Sequence, residues 1–193
     1  MLDNLKKYRI ILGSASPRRS ELLKGLDIPF EVIVKDTTED FPVSMIGVGI
    51  PMYLAEKKAE AYRNEMTDDT LLITADTIVF LEGKTINKPV DKQDAKNILK
   101  QLSGKTHQVI TGVCITSKDK KRVFHSTSEV KFARLSDAEI DYYLEKYTPY
   151  DKAGSYGVQE WIGYVGVEHI TGSYYNVMGL PVQRLYNELK RWF

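Results

Sequence analysis

An aspartate, Asp76, interrupts the most hydrophobic stretch of this chain, Leu71-Leu72-Ile73-Thr74-Ala75-Asp76-Thr77-Ile78-Val79-Phe80-Leu81. A carboxylate inside a buried strand is costly unless it is paired, hydrogen-bonded or bound to a cation, which makes Asp76 a candidate functional residue. The structural alternative is an aspartate that accepts backbone N–H bonds at a bulge. Upstream, Ile10-Ile11-Leu12-Gly13-Ser14-Ala15-Ser16-Pro17-Arg18-Arg19 passes from an apolar run through a small-residue turn to two arginines. With Ser16 as N-cap and Pro17 at the first helical position, unpaired N–H groups and the positive helix end face outward, and Arg18 and Arg19 add full charges. Such a mouth suits a phosphate chain. The alternative is a turn shaped by Gly, Ser and Pro for geometry alone, with solvated arginines. Neither the Gly-x-x-x-x-Gly-Lys nor the Gly-x-Gly-x-x-Gly spacing occurs here, which argues against an ordinary P-loop ATPase or dinucleotide enzyme. Lys58 is the third candidate, because helical spacing places 54, 58 and 61 together and sets its ammonium beside an apolar stripe, where an anionic ligand would account for it.

These side chains need elements to hold them. The pattern predicts a strand over residues 8–14, a helix over 17–25 and a second strand over 30–34, an α/β opening. An acidic loop over 35–42 follows, closed by Pro42. A helix over 51–65 carries Tyr53, Leu54, Ala61 and Tyr62 inward, with Lys57 toward solvent. Residues 71–81 form a central strand, and Glu82-Gly83-Lys84 turns it into a hairpin partner over 85–87 that ends at Lys88-Pro89. Asp91 caps a helix over 93–102, stopped by Gly104, and two long strands over 106–116 and 123–133 flank a solvated tip at Lys118–Lys121. Ser136-Asp137-Ala138-Glu139 is a capping box that opens a helix through Lys146. The small, polar run 151–159 reads as a second site loop. A strand over 165–170, a turn at Gly172-Ser173 and the run 176–181 lead into a closing helix with Val182, Leu185, Leu189 and Trp192 as its stripe. His107 and His125 lack ligand-like spacing and read as structural or surface residues. Trp161, Tyr164, Tyr174 and Tyr175 form either core or a dimer patch, with core expected for aromatics.

Composition narrows the class. The 193 residues suffice for one substantial core or one domain with a lobe. With 27 basic and 26 acidic residues the formal charge is +1, so no global field recruits nucleic acid or an anionic membrane, and any basic site is local. A single cysteine, Cys114, leaves no internal disulfide and suits a reducing cytoplasm. No run approaches membrane-spanning length and the N-terminus lacks a signal-type apolar core, so a soluble cytoplasmic protein is expected.

Taken together, Ser14-Ala15-Ser16-Pro17-Arg18-Arg19, Ala75-Asp76-Thr77, Lys88-Pro89 and Asp151-Lys152-Ala153-Gly154-Ser155-Tyr156-Gly157-Val158-Gln159 resemble, in order and spacing, the Maf family of nucleoside triphosphate pyrophosphatases. The likeness extends to Leu102-Ser103-Gly104 and the run from Gly172 to Pro181. It implies an elongated α/β fold of inosine triphosphatase-like type, a mixed central sheet flanked by helices, in a single domain over residues 1–193 with two lobes around a nucleotide cleft. It also implies hydrolysis of the α–β phosphoanhydride to a nucleoside monophosphate and pyrophosphate, a house-cleaning role in nucleotide pools, a link to division arrest, and a homodimer. By motif, the working residues would be Ser14, Arg18, Arg19, Glu39, Lys58, Asp76, Lys88 and Lys152, with Ser14, Arg18, Arg19 and Lys152 on phosphate. The branch similar to dTTP and UTP pyrophosphatases is marked at positions matching Arg18, Thr77 and Gln159. This chain departs from the family pattern at Thr38, at Thr74 and at Glu160-Trp161, each time where another residue is common.

Charge arithmetic bears on the implied substrate. Each like-charge contact near 4 Å costs on the order of 4 kcal/mol at an effective dielectric of about 20, so Glu39 and Asp76 cannot share a site with a triphosphate unaided. A Mg²⁺ or Mn²⁺ ion held by Glu39 and Asp76 reverses that sign. Asp76 would then be metal ligand, base for the attacking water, or both. Arg18, Arg19, Lys58 and Lys88 would offset phosphate charge and the charge growing on the leaving pyrophosphate. Arg18 could instead meet the base edge, and the amide of Gln159 suits a pyrimidine face carrying O4 and N3–H. The alternatives are a pyrophosphatase for modified nucleotides and a nucleotide-sensing regulator of septum formation that binds without turnover.

Overall fold

The computed structural model describes residues 2–193. The three β-favouring residues Ile10, Ile11 and Leu12 are buried on β1 (Arg9–Leu12), which pairs in parallel with β2 (Glu31–Val32) and β3 (Thr70–Leu81). Strand order is β2-β1-β3-β5-β6-β7, with β4 (Lys84–Ile86) antiparallel to β3 and β7 (Val167–Thr171) antiparallel to β6 (Lys121–Phe132). With β5 (Thr106–Thr116), this makes a mixed seven-stranded sheet accompanied by helices. The chain divides into two compact units: residues 1–76, 111–126 and 179–193, and residues 77–110 and 127–178.

The first unit holds α1 (Pro17–Lys24), α2 (Gly49–Glu60) and α7 (Val182–Trp192). Ser16 caps α1 through Arg19 N, with Pro17 at its first position, as the sequence predicts. The buried face of α2 is Ile50, Pro51, Leu54, Ala55 and Ala59, continued by Tyr62, while Ala61 is exposed and not part of the expected stripe. Two glycines allow close backbone approach. A Cβ on Gly13 would stand 2.8 Å from Thr74 Cγ2, and one on Gly112 would stand 2.3 Å from the carbonyl carbon and oxygen of Pro51, where β5 lies against α2.

The second unit is built around Val79, Leu81, Leu99, Leu102, Phe132, Tyr143 and Leu144. Its helices are α3 (Lys92–Leu102), α4 (Asp137–Tyr147), α5 (Trp161–Gly166) and α6 (Tyr174–Met178). Asp91 caps α3, and both halves of the Ser136–Glu139 capping box are formed on α4. Lys96 and Lys100 of α3 pair with Asp141 and Asp137 of α4 at 2.6 and 2.9 Å.

Several expectations are corrected. The second strand shrinks to two exposed residues, and Val34 is exposed beyond it, because the parallel pairing with β1 extends only over Ile11 and Leu12. The helices α5 and α6 were not expected; each is too short to show a helical period. Trp192 is exposed and Phe193 buried; Glu188 joins the buried stripe of α7, ion-paired with Arg122 Nε at 2.8 Å, and the Arg122 guanidinium lies 4.9 Å from the Trp192 ring centre. Tyr164, Tyr174 and Tyr175 are exposed and not core, and Trp161 packs edge-on against Tyr142. The tip lysines are exposed yet tied down: Lys118 to Asp68, Lys121 to Glu56, and Lys120 to the Trp192 carbonyl. His107 is buried, as one of the two readings held, with Nε2 2.7 Å from Tyr156 Oη. Cys114 is buried and free.

Candidate active site

Ser14, Arg18, Arg19, Glu39, Lys58 and Asp76 lie in the first unit. The turn after β1 places Ser14, buried, so that its Oγ accepts from Ser16 N at 3.2 Å and from Arg19 at 3.4 Å. Arg19 Nε donates to the Gly179 carbonyl at 2.8 Å, which fixes the guanidinium beside the start of α1. Burial pulls the Arg19 guanidinium below its ordinary pKa, opposed by the negative fields of Asp76 and Glu39. Guanidinium basicity is high enough that it stays charged. Arg19 therefore senses both carboxylates.

Those carboxylates meet on one cation. Lys58, rising from the third turn of α2, places Nζ 2.6 Å from Asp76 Oδ1 on β3 and 3.1 Å from Glu39 Oε1 on the acidic loop. Asp76 is only 6% exposed, so a bulge aspartate satisfied by backbone alone is not what the strand holds. Its desolvation is offset by a paired ammonium. Lys57, expected toward solvent, instead reaches the same loop: Nζ lies 2.9 Å from Thr38 Oγ1 and 2.7 Å from Asp40 Oδ1. The Lys57 hydrogen bond, with help from Thr38, holds the Asp40 carboxyl down to about 2. Consecutive lysines thus tether the loop that carries Glu39. Thr74, one of the departures, lies two residues before Asp76 on the same face of β3 and donates to the Ala55 carbonyl of α2 at 2.6 Å.

Glu39 and Asp76 offer hard oxygen donors converging on a single cationic point, now the Lys58 ammonium. That donor set fits Mg²⁺ or Mn²⁺, which commonly bind one or two carboxylates and complete their shell with water and phosphate oxygens. Among the described residues no group of three or more His, Cys, Asp or Glu is arranged for a metal. An ion here would rest on these two carboxylates and on a ligand.

Thr77, Lys88, Lys152 and Gln159 lie in the second unit. Thr77 follows Asp76 directly on β3, and Lys88 is exposed just after β4. The loop 151–159 is joined to the Lys88 segment by Gly154 N, which donates to the Asn87 carbonyl at 3.5 Å. Gly154 takes a left-handed φ of 73°, and a Cβ there would stand 2.8 Å from Val79 Cγ2. Lys152 Nζ is held by Asp151 at 2.9 Å and by Glu160 at 3.2 Å. Gln159 Oε1 is buried and has no hydrogen-bond partner among the described residues. A buried acceptor left unpaired costs about 1–3 kcal/mol, which a ligand's donor would recover. Sequence reasoning missed Lys57, Asp40 and Tyr143, and marked Glu160 only as a departure from the family pattern. Their roles depend on contacts between distant segments that no local pattern announces.

Residues 9–192 match the family described as Maf-like protein. The chain belongs to the Maf family. Curated relatives of this Maf chain include the dTTP/UTP pyrophosphatase of Porphyromonas gingivalis strain W83, 60% identical over 98% of this chain and 97% of that one. The dTTP/UTP pyrophosphatase of Parabacteroides distasonis is 59% identical over all of both chains, and that of Bacteroides fragilis strain YCH46 is 54% identical over 99% and 100%. Among solved structures, the Maf chain is similar to the Staphylococcus aureus Ham1 protein, with 16% identity, a TM-score of 0.49, and coverage of 65% of this chain and 72% of that one. No helix among the described residues is long and apolar enough to cross a membrane.

Proposed function

We propose that this chain is a nucleoside triphosphate pyrophosphatase that hydrolyses dTTP and UTP to the nucleoside monophosphate and pyrophosphate. The observation that carries the reading is the bridging of Glu39 and Asp76 by Lys58 beside the arginine-bearing start of α1. The names of relatives at 54–60% identity support the substrate.

In this reading Ser14, Arg18 and Arg19 receive phosphate oxygens at the turn after β1, and the family motif assigns phosphate charge to Lys88 and Lys152 as well. Glu39 and Asp76 would hold a divalent cation, which supplies Lewis-acid polarisation of the phosphates and charge compensation when bound. Asp76 takes a proton from the attacking water as its oxygen bonds to phosphorus and the bond to the bridging oxygen breaks. The electron pair leaves with pyrophosphate, and Arg18, Arg19, Lys58 and Lys88 stabilise that growing charge. Gln159 accepts from N3–H of uracil or thymine with its unpartnered Oε1 and donates to O4, while cytosine presents the reversed pattern. Arg18 and Thr77 complete base selection. A reducing cytoplasm suits the single buried thiol.

The test is product analysis with Mg²⁺ and a panel of nucleoside triphosphates, with Asp76→Asn as control. Monophosphate and pyrophosphate from dTTP and UTP, absent with Asp76→Asn, is the expected result. Diphosphate and phosphate would place cleavage at another bond. Binding without turnover would favour a nucleotide-sensing protein.

A further inference from the structure

Within the second unit, the backbone around Gln159 is a turn: Glu160 N donates to the Gly157 carbonyl at 3.0 Å, and Gly163 N donates to the Glu160 carbonyl at 2.8 Å as α5 begins. The Glu160 side chain does not extend into solvent as a helix-start acid commonly does. It folds back over Gly157, where a Cβ would stand 2.7 Å from its carboxyl carbon and 2.9 and 3.0 Å from its oxygens. Its two oxygens have different partners. Oε2 accepts from Tyr143 Oη, and Oε1 faces Lys152 Nζ at 3.2 Å. Tyr143 is fully buried on α4, stacked on Tyr147, and its Oη also accepts from Gly157 N at 3.0 Å. Both ends of the turn, Gly157 and Glu160, are therefore fastened to one buried phenol.

We infer that Glu160 is a specificity-positioning residue that, through Tyr143, fixes the Gly157–Glu160 turn and thereby the aim of the Gln159 amide at the base. This rests on the base-selecting role proposed for Gln159. The unpartnered Gln159 Oε1 can discriminate only if its backbone does not swivel to find other partners. The brace supplies that rigidity from outside the ligand, since neither Tyr143 nor Glu160 needs to touch it. The pairing with Lys152 is a separate link on the other carboxylate oxygen, and the two links are separable by mutation.

The experiment compares kcat/KM for dTTP and dCTP in the full-length protein, wild type, Gln159→Ala, Glu160→Ala, Glu160→Gln and Tyr143→Phe, with thermal melts of each. Glu160→Ala and Tyr143→Phe should lower the dTTP to dCTP ratio by about fivefold to tenfold, the scale of one misdirected hydrogen bond. Glu160→Gln keeps an acceptor for Tyr143 and loses only the charge facing Lys152, so its ratio should stay within about twofold of wild type. A merely structural role would reduce both substrates by the same factor and leave the ratio unmoved. An unchanged ratio in Glu160→Ala, with discrimination lost in Gln159→Ala, overturns the brace and leaves the role of Gln159 standing. Equal loss in Glu160→Gln and Glu160→Ala overturns the assignment to the Tyr143 bond. A wild type that cleaves no nucleotide takes the proposed function and the brace down together, whereas a Gln159→Ala variant that discriminates like wild type removes the base-selecting role of Gln159 and the brace with it and leaves the hydrolysis standing.

Discussion

Lys58→Met removes the cation that joins Asp76 and Glu39 while keeping most of the side-chain volume. The ammonium lies 2.6 Å from Asp76, which is 9% exposed in its side chain, and 3.1 Å from Glu39, which is 44% exposed. Breaking a buried pair from one side costs about 3–5 kcal/mol, chiefly because the remaining charge is left desolvated. The Lys58 side chain is itself 16% exposed, which lets water approach, so a loss of about 3 kcal/mol is expected. Asp76→Asn is milder, about 1–2 kcal/mol, because Lys58 keeps Glu39 and the amide oxygen can still accept. Together the two substitutions leave no buried charge, since the remaining Glu39 carboxylate is 44% exposed, and the double variant should be at least about 1 kcal/mol more stable than the sum of the singles implies. Urea unfolding at pH 7.5 in chelator, without nucleotide, measures all four corners of the cycle. Additivity within about 0.5 kcal/mol would refute the argument that Lys58 and Asp76 form one electrostatic unit. Magnesium then probes the donor set without reference to turnover. In Lys58→Met the carboxylates lack their ammonium, and Mg²⁺ at about 100 times its Kd should return about 2.7 kcal/mol, an effect that should vanish when Asp76→Asn is added.

Three further predictions follow from the packing. Burial holds the His107 imidazole down to about 4. The folded state therefore disfavours its charged form, and the stabilisation is complete above the unfolded value near 6.5 and is lost as pH falls from there to about 4, at roughly 1.4 kcal/mol per unit and roughly 3 kcal/mol in all. Urea titrations at pH 7.5 and 4.5 should show that much less acid sensitivity in His107→Gln than in wild type, and equal sensitivities would contradict the linkage. Gly112→Ala forces a Cβ against the Pro51 carbonyl at 2.3 Å, so β5 and α2 must separate; we expect a loss of about 3 kcal/mol or more by urea unfolding, or no soluble protein. Ser136→Ala removes one half of the capping box on α4 and should cost about 1 kcal/mol, read as a lowered thermal midpoint with activity per folded molecule unchanged.

The parts of the site that could be read from sequence are those whose signal is local. Ser16, Pro17 and the two arginines declare a helix start within four residues, and the structure forms that cap. Asp76 declares itself by the cost of a carboxylate in an apolar strand, and Lys58 by its helical spacing from Leu54, which is buried, and Ala61, which is not. Each follows from a rule with a range of one or two turns. Glu188 shows the opposite case. On helical spacing it belongs beside the stripe of α7, but its burial requires Arg122, 66 residues away on β6, and no periodicity carries that information. Trp192, one turn on from Glu188, is covered on one side by the same Arg122 guanidinium, 4.9 Å from its ring centre, and is otherwise exposed.

The same reasoning explains why the supports of the site were harder to see than its working groups. A group that meets substrate must carry charge or a specific amide, so its residue type stands out against its surroundings. A group that holds it needs only to be near it in space. Lys57 looks like any surface lysine until Thr38 and Asp40 are found at its ammonium, and Glu160 looks like an ordinary first-turn acid until Tyr143 is found at its carboxylate. Those contacts also show how the loops can be mobile in composition and fixed in place. The run from Thr37 to Asp40 has no regular structure, yet Lys57 and Lys58 pin both Asp40 and Glu39 to α2. The run from Ala153 to Gln159 carries residues in left-handed conformations at Gly154 and Ser155, yet Tyr143 binds its far end. In both units a helix anchors the loop to which the proposed function assigns chemistry: α2 holds Glu39 through Lys58 and Asp40 through Lys57, and α4 holds the Gln159 turn through one phenol. Removing either anchor should therefore damage selectivity or turnover before it damages the sheet.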